Sequence, residues 1–106
     1  MRVLFDQGTP APLRRVLVGH VVETAYERGW SRLRNGDLLT AADDAAFEVF
    51  VTTDLNLRYQ QNLASRRIAI IVLSTTSWPR IRAVANLVSA AVSAAAVTHY
   101  AEVQIP

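Results

Sequence analysis

"RIAIIVLS", residues 67 to 74, is the stretch on which the fold turns. The run Ile68-Ala69-Ile70-Ile71-Val72-Leu73 has no polar face, so a strand built from it must be covered on both sides. Such runs belong to parallel sheets with helices on each face, whereas a half-solvated antiparallel strand alternates apolar and polar residues. Two shorter runs upstream agree: Glu48 to Thr52, and Val3-Leu4-Phe5 at the start of the chain. His20 to Thr24 reads as a weaker strand, and Tyr100 to Ile105 alternates as an edge strand.

Helical patterns separate these strands. Pro10 and Pro12 open one that runs through Leu13 and Val16, because proline suits the first turn of a helix. Asp37 opens a second, with Leu38, Leu39, Ala42, Ala45 and Ala46 on one face. Leu57 to Ala64 reads as a short helix. Pro79 introduces a long one carrying Ile81, Val84, Ala85, Leu87, Val88, Ala91 and Val92 at helical spacing. Strands alternating with helices predict an α/β fold: a three-layer α/β/α sandwich with a mainly parallel sheet, spanning residues 1–106 as one domain.

Composition narrows the chemistry. The 106 residues include no cysteine, which excludes disulfides, thiolate nucleophiles and cysteine-ligated zinc. All eleven basic residues are arginine, and the net charge is only +2. That is a modest positive field, compatible with a phosphate-bearing partner. The opening "MRVLFDQG" reads as a strand rather than a signal peptide. Ala83 to Val97 is interrupted by Asn86, Ser89 and Ser93 and is shorter than a membrane span. A cytoplasmic protein with no membrane partner is the expectation.

Two buried-looking strands stop on carboxylates. "VLFDQG" (3–8) ends in Asp6, and "VTTDLN" (51–56) passes through two threonines to Asp54. In an open parallel sheet, ligands bind beyond the carboxyl ends of the strands, which puts Asp6 and Asp54 on the functional rim. A helix joining parallel strands starts at that same rim, so Asp37 shares their level. Asp43 and Asp44 lie about 9 to 10 Å further down the helix axis. Each acid also has a purely structural reading: a helix N-cap for Asp37, an Asx turn or short-helix cap for Asp54, a strand-to-helix turn for Asp6. Three carboxylates brought together repel unless a cation neutralises them. A hard divalent ion held by oxygen donors does so, and it serves phosphodiester hydrolysis.

At these residues the chain resembles the PIN-like family, in particular its minimal members related to the VapC toxin nucleases. The matching elements are "MRVLFDQGTP", "GDLLTAADDAAFEVFVTTDLNL" and "RIAIIVLS" followed by a long helix. The resemblance covers nearly the whole chain. It implies a PIN-like fold and a Mg2+- or Mn2+-dependent endoribonuclease acting on RNA, often a toxin restrained by an antitoxin protein. Asp6, Asp37 and Asp54 match the family's catalytic and metal-binding acids. Where the family commonly has another aspartate two residues after Asp54, this chain has Asn56, an uncharged auxiliary ligand. The alternative is a catalytically weak or inactive PIN-like module for RNA binding or protein interaction.

Other residues complete the expected site. Arg58, Tyr59 and Gln60 follow Asp54 and offer phosphate and base contacts, and Arg80 follows the last long strand. Trp30 lies in the loop leading to Asp37, as a substrate platform or as a lid anchored on the core. His20 and His99 have no triad partners beside them and read as structural. A phosphoacceptor receiver domain also places acids at its first and third strand ends, but it requires a lysine that this chain lacks. The Ala-rich face of the final helix is the expected surface for a homo-oligomer.

Overall fold

The computed structural model describes residues 1–57 and 66–106. Five strands form one all-parallel sheet: β1 (Arg2–Phe5), β2 (Val21–Thr24), β3 (Val49–Thr52), β4 (Ala69–Leu73) and β5 (Tyr100–Val103), in the order β2-β1-β3-β4-β5. Among the described residues there are four α-helices, α1 (Asn35–Asp44), α2 (Trp78–Ala83), α3 (Ala85–Ser93) and α4 (Ala95–Thr98), and a 3-10 helix, η1 (Ala11–Arg15). The α/β expectation therefore holds, and β3 and β4 are buried at every position, as their unbroken apolar runs require.

Side-chain alternation divides the core in two. Val3, Phe5, Val49, Val51, Ile71 and Leu73 face one side, where Leu13 and Leu17 after β1 and Ile81, Val88 and Val92 from α2 and α3 cover them. Leu4, Phe50, Ile70 and Val72 face the other side, against Leu38, Leu39 and Ala42 of α1 and Leu57. At about 25 cal/mol per Å² of apolar surface, these two clusters supply the main driving force for folding.

The same division fixes the hand of each crossover. From β1 to β2 the chain moves one way along the sheet, over the face that carries Leu13. From β2 to β3 it moves the other way over the opposite face, so these two crossovers share a hand. From β4 to β5 it moves in the β2-to-β3 direction, but over the Leu13 face, and so has the opposite hand. Parallel crossovers are right-handed with few exceptions, which makes the β4–β5 connection the exceptional one.

Three elements depart from the sequence expectation. The proline-opened segment is a 3-10 turn rather than a helix through Val16. The helix expected to open at Asp37 starts two residues earlier, at Asn35. The long C-terminal helix is broken at Val84 (φ −126°, ψ 32°) and again at Ala94, without proline or glycine to mark either break. The short helix expected over Leu57 to Ala64 falls mostly outside the described residues. No helix among the described residues is long and apolar enough to cross a membrane.

Candidate functional site

In the order β2-β1-β3-β4-β5 the sheet reverses its winding between β1 and β3, the position beyond which open parallel sheets bind ligands. Asp6 directly follows β1, and Asp54 follows β3 by two residues. The strands thus bring these two acids to neighbouring positions on one rim.

Threonines hold the pair together. The fully buried Thr52 donates its hydroxyl to Asp6 Oδ2 at 2.5 Å and accepts the Asp54 amide at 3.0 Å, so one side chain fixes both acids. The directions are unambiguous, because an amide only donates and the hydroxyl proton is left for the carboxylate. Thr9, 5% exposed, donates its amide to Asp6 Oδ1 at 3.0 Å, and its hydroxyl lies 2.7 Å from that oxygen and 3.0 Å from the Val51 carbonyl. The Asp6 amide in turn donates to Val51 O at 3.2 Å, one rung beyond the β1–β3 ladder. Thr9 and Thr52 are the buried polar side chains of the described core, and both serve Asp6.

Asp54 is held from two sides. Its Oδ1 accepts the Asn56 amide at 3.0 Å, an Asx turn, and its Oδ2 accepts the side-chain amide of Asn35. Asn35 is the first residue of α1, so the helix expected to present Asp37 instead presents Asn35 to Asp54. Residues two apart on a helix are separated by about 200° around its axis, which turns Asp37 away from the face that Asn35 uses. Asp37 is exposed in the first turn, where a carboxylate also favours the helix dipole, and among the described residues no hydrogen bond joins it to Asp6 or Asp54.

The loops themselves interlock. A Cβ added at Gly8 would lie 2.5 Å from Thr53 Oγ1, so this glycine is what allows the β1 and β3 loops to close on each other. Sequence reading misses Gly8, Thr9, Asn35 and Thr52 as site residues. The threonines of "VTTDLN" were the available signal.

The remaining expected residues divide. Arg58, Tyr59 and Gln60 lie outside the described residues. Arg80 directs its guanidinium to the carbonyls of Pro106 (2.9 Å) and Ile105 (3.0 Å), clasping the chain end. Trp30 meets Phe47 edge-on at 6.2 Å, with Arg28 4.8 Å from its ring centre, so it is anchored on the core. His20 Nδ1 lies 3.1 Å from the Met1 amino group at the opposite end of the sheet.

Among the described residues, Asp6 accepts hydrogen bonds from the neutral groups of Thr9 and Thr52, and the Asp54 carboxylate from the Asn56 backbone amide and the Asn35 side chain. Two carboxylates with free lone pairs and no cationic side chain among these partners form an oxygen-donor set suited to a hard cation. Among the described residues no three His, Cys, Asp or Glu side chains group closely enough to hold a metal ion. The set is therefore a pair. No family model matches the chain, and no curated protein or solved structure matches it.

Proposed function

We propose that the chain is a PIN-like, metal-dependent ribonuclease that hydrolyses phosphodiester bonds at the Asp6–Asp54 rim. The observation that carries this reading is the fully buried Thr52, whose hydroxyl donates to the Asp6 carboxylate and accepts the Asp54 backbone amide where the sheet reverses its winding. In this proposal the helices on the two faces of the sheet make a three-layer α/β/α sandwich of PIN-like type.

The residues present suit Mg2+ or Mn2+, because Mg2+ is commonly held by one or two carboxylates together with water and substrate phosphate. Asp6 and Asp54 would hold it, with the Asn56 side chain as an auxiliary oxygen donor. Bound there, such an ion supplies neutralising charge at the phosphate and a more acidic water. Thr9 and Thr52 keep the Asp6 oxygens fixed, so the acids need no reorganisation when substrate arrives. Asp37, on the same rim but outside the hydrogen-bonded pair, is assigned the orientation of the attacking water. Arg58, Tyr59, Gln60 and Arg80 complete the proposed RNA contacts. A toxin held by an antitoxin, a homo-oligomer formed through the Ala-rich final helix and a cytoplasmic setting all belong to the same proposal.

A second reading has its own observation. Both Asp54 oxygens are already engaged by an Asx turn and by Asn35, which suits a catalytically inactive PIN-like module that binds RNA or protein. Mn2+ separates the two. A nuclease should cut mixed RNA with Mn2+ and lose the activity in Asp6→Asn and Asp54→Asn, while an inactive module binds RNA equally well in chelator. Equal cutting by all three preparations would identify a contaminant and remove the nuclease proposal.

A further inference from the structure

The rim carries a second feature that the acid pair does not explain. A cleft of about 540 Å³ opens beside Asp6, within the range of small-ligand sites, and two aromatic side chains line it, Tyr26 and Trp78. Their placement follows from strand order. Tyr26 follows β2 and Trp78 opens α2 after β4, so they flank the β1 and β3 loops from opposite sides. Tyr26 is 77% exposed, although nothing in its turn requires a large ring in water. Apart from Asp6 the lining is neutral, with hydroxyls from Thr9, Thr24 and Thr76.

A second groove of about 480 Å³ shares Ala11, Thr24 and Tyr26 with the first and contains Arg14, Arg15 and the acidic Glu27. Arg15 is exposed. Arg14 gives both terminal nitrogens to Glu27, but its buried Nε has no hydrogen-bond partner. Its terminal nitrogens are thus committed to Glu27, which leaves Arg15 as the cation that projects into the groove without a hydrogen-bond or ion-pair partner among the described residues. A cleft flanked by aromatic rings, with Asp6 as its charged lining residue, therefore runs into a groove that presents Arg15, and Tyr26 is part of their common wall.

From this juxtaposition we infer a binding track for single-stranded RNA: an unpaired base stacks in the Tyr26–Trp78 cleft, and the adjoining phosphate sits on Arg15, beside the Arg14–Glu27 pair. Alternating rings and guanidinium groups are what an unpaired strand needs, since every base has a face to stack and every linkage carries a charge. A duplex offers no free base face to this cleft. The inference deepens the nuclease proposal and rests on it for its consequence, because a base seated beside Asp6 sets which phosphodiester meets the acids.

The test is made in chelator, where cutting cannot intervene. With Trp30→Phe, Trp78 becomes the sole tryptophan and its fluorescence reports the cleft. Short oligo(U) and oligo(A) should quench it saturably, and a duplex RNA of the same length should not. Tyr26→Ala should raise the Kd at least about fivefold, the low end of what losing one stacking platform costs, and Tyr26→Phe should restore it. Arg15→Gln should flatten the slope of log K against log salt by about 0.7, one phosphate on a single strand. Absent quenching, equal quenching by duplex, or an unchanged Kd in Tyr26→Ala would each overturn the track. Parallel incubation with Mn2+ keeps the two proposals apart. RNA cutting with a silent Trp78 removes the track and leaves the nuclease, while quenching without cutting does the reverse.

Discussion

Thr52 is the residue on which the site depends, because a fully buried hydroxyl there faces both Asp6 and the Asp54 amide. Thr52→Val keeps the shape and deletes the hydroxyl. It should cost about 1 to 3 kcal/mol in urea unfolding, since the Asp54 amide loses its acceptor and Asp6 loses a donor. Thr52→Ser should recover most of that. A second residue, Glu27, is predicted to leave a mark in pH. Its carboxyl is held below the ordinary range, first by the Arg14 hydrogen bonds and then by the Thr24 amide. A carboxyl lowered on folding contributes stability above its unfolded pKa and loses it as pH falls through the folded value. The Tm of Glu27→Gln should therefore lie below that of the parent at neutral pH, and the two should converge once acid has protonated Glu27.

At the scale of elements, α1 ends in a Schellman motif: Phe47 N–H donates to Ala42 O and Ala46 N–H to Asp43 O, both at 3.0 Å. The motif puts Ala46 at φ 63°, in the left-handed region where a Cβ is crowded and glycine is favoured. Ala46→Gly should stabilise the protein by about 1 kcal/mol, a Tm rise of roughly 4 °C or more in a chain of this size. An unchanged or lower Tm would mean that glycine's greater freedom in the unfolded chain offsets the relief. The turn after β2 uses a related device. Thr24 and Glu27 bond each other's amides reciprocally, as in a capping box, and this holds the turn that carries Tyr26.

For the whole molecule, the exceptional β4–β5 crossover makes the contacts of Ile105 and Pro106 matter. The strand it delivers is an edge, secured by Ser74 Oγ accepting the Ile105 amide at 2.7 Å and by the Arg80 clasp on the last two carbonyls. Arg80→Met should speed amide hydrogen exchange in β5 while leaving β1 and β3 protected. If Arg80 also contacts RNA, as proposed, the same variant should raise KM for cleavage. The core itself tolerates less. Ile71 is fully buried on β4, an interior strand between β3 and β5, so Ile71→Ala should cost about 2 to 5 kcal/mol in urea unfolding, a large share of the stability of a domain this small.

Strand character and the rim acids are legible in the sequence because both are local. Ile68 to Leu73 declares a strand covered on two sides by its own apolar run, and Asp6 and Asp54 declare strand ends because a carboxylate cannot continue a buried strand. Other features depend on which strands are neighbours, and no local pattern encodes the order β2-β1-β3-β4-β5. That order lets one threonine bind both acids, puts Gly8 against Thr53 and sets Tyr26 and Trp78 on either side of the cleft. The start of α1 is decided the same way. Asp37 is a better cap by residue type than Arg34, yet Arg34 holds the N-cap position and the helix opens at Asn35, where its side-chain amide reaches Asp54. Local chemistry determined the elements of this protein, and packing between segments far apart in the chain decided which side chains meet.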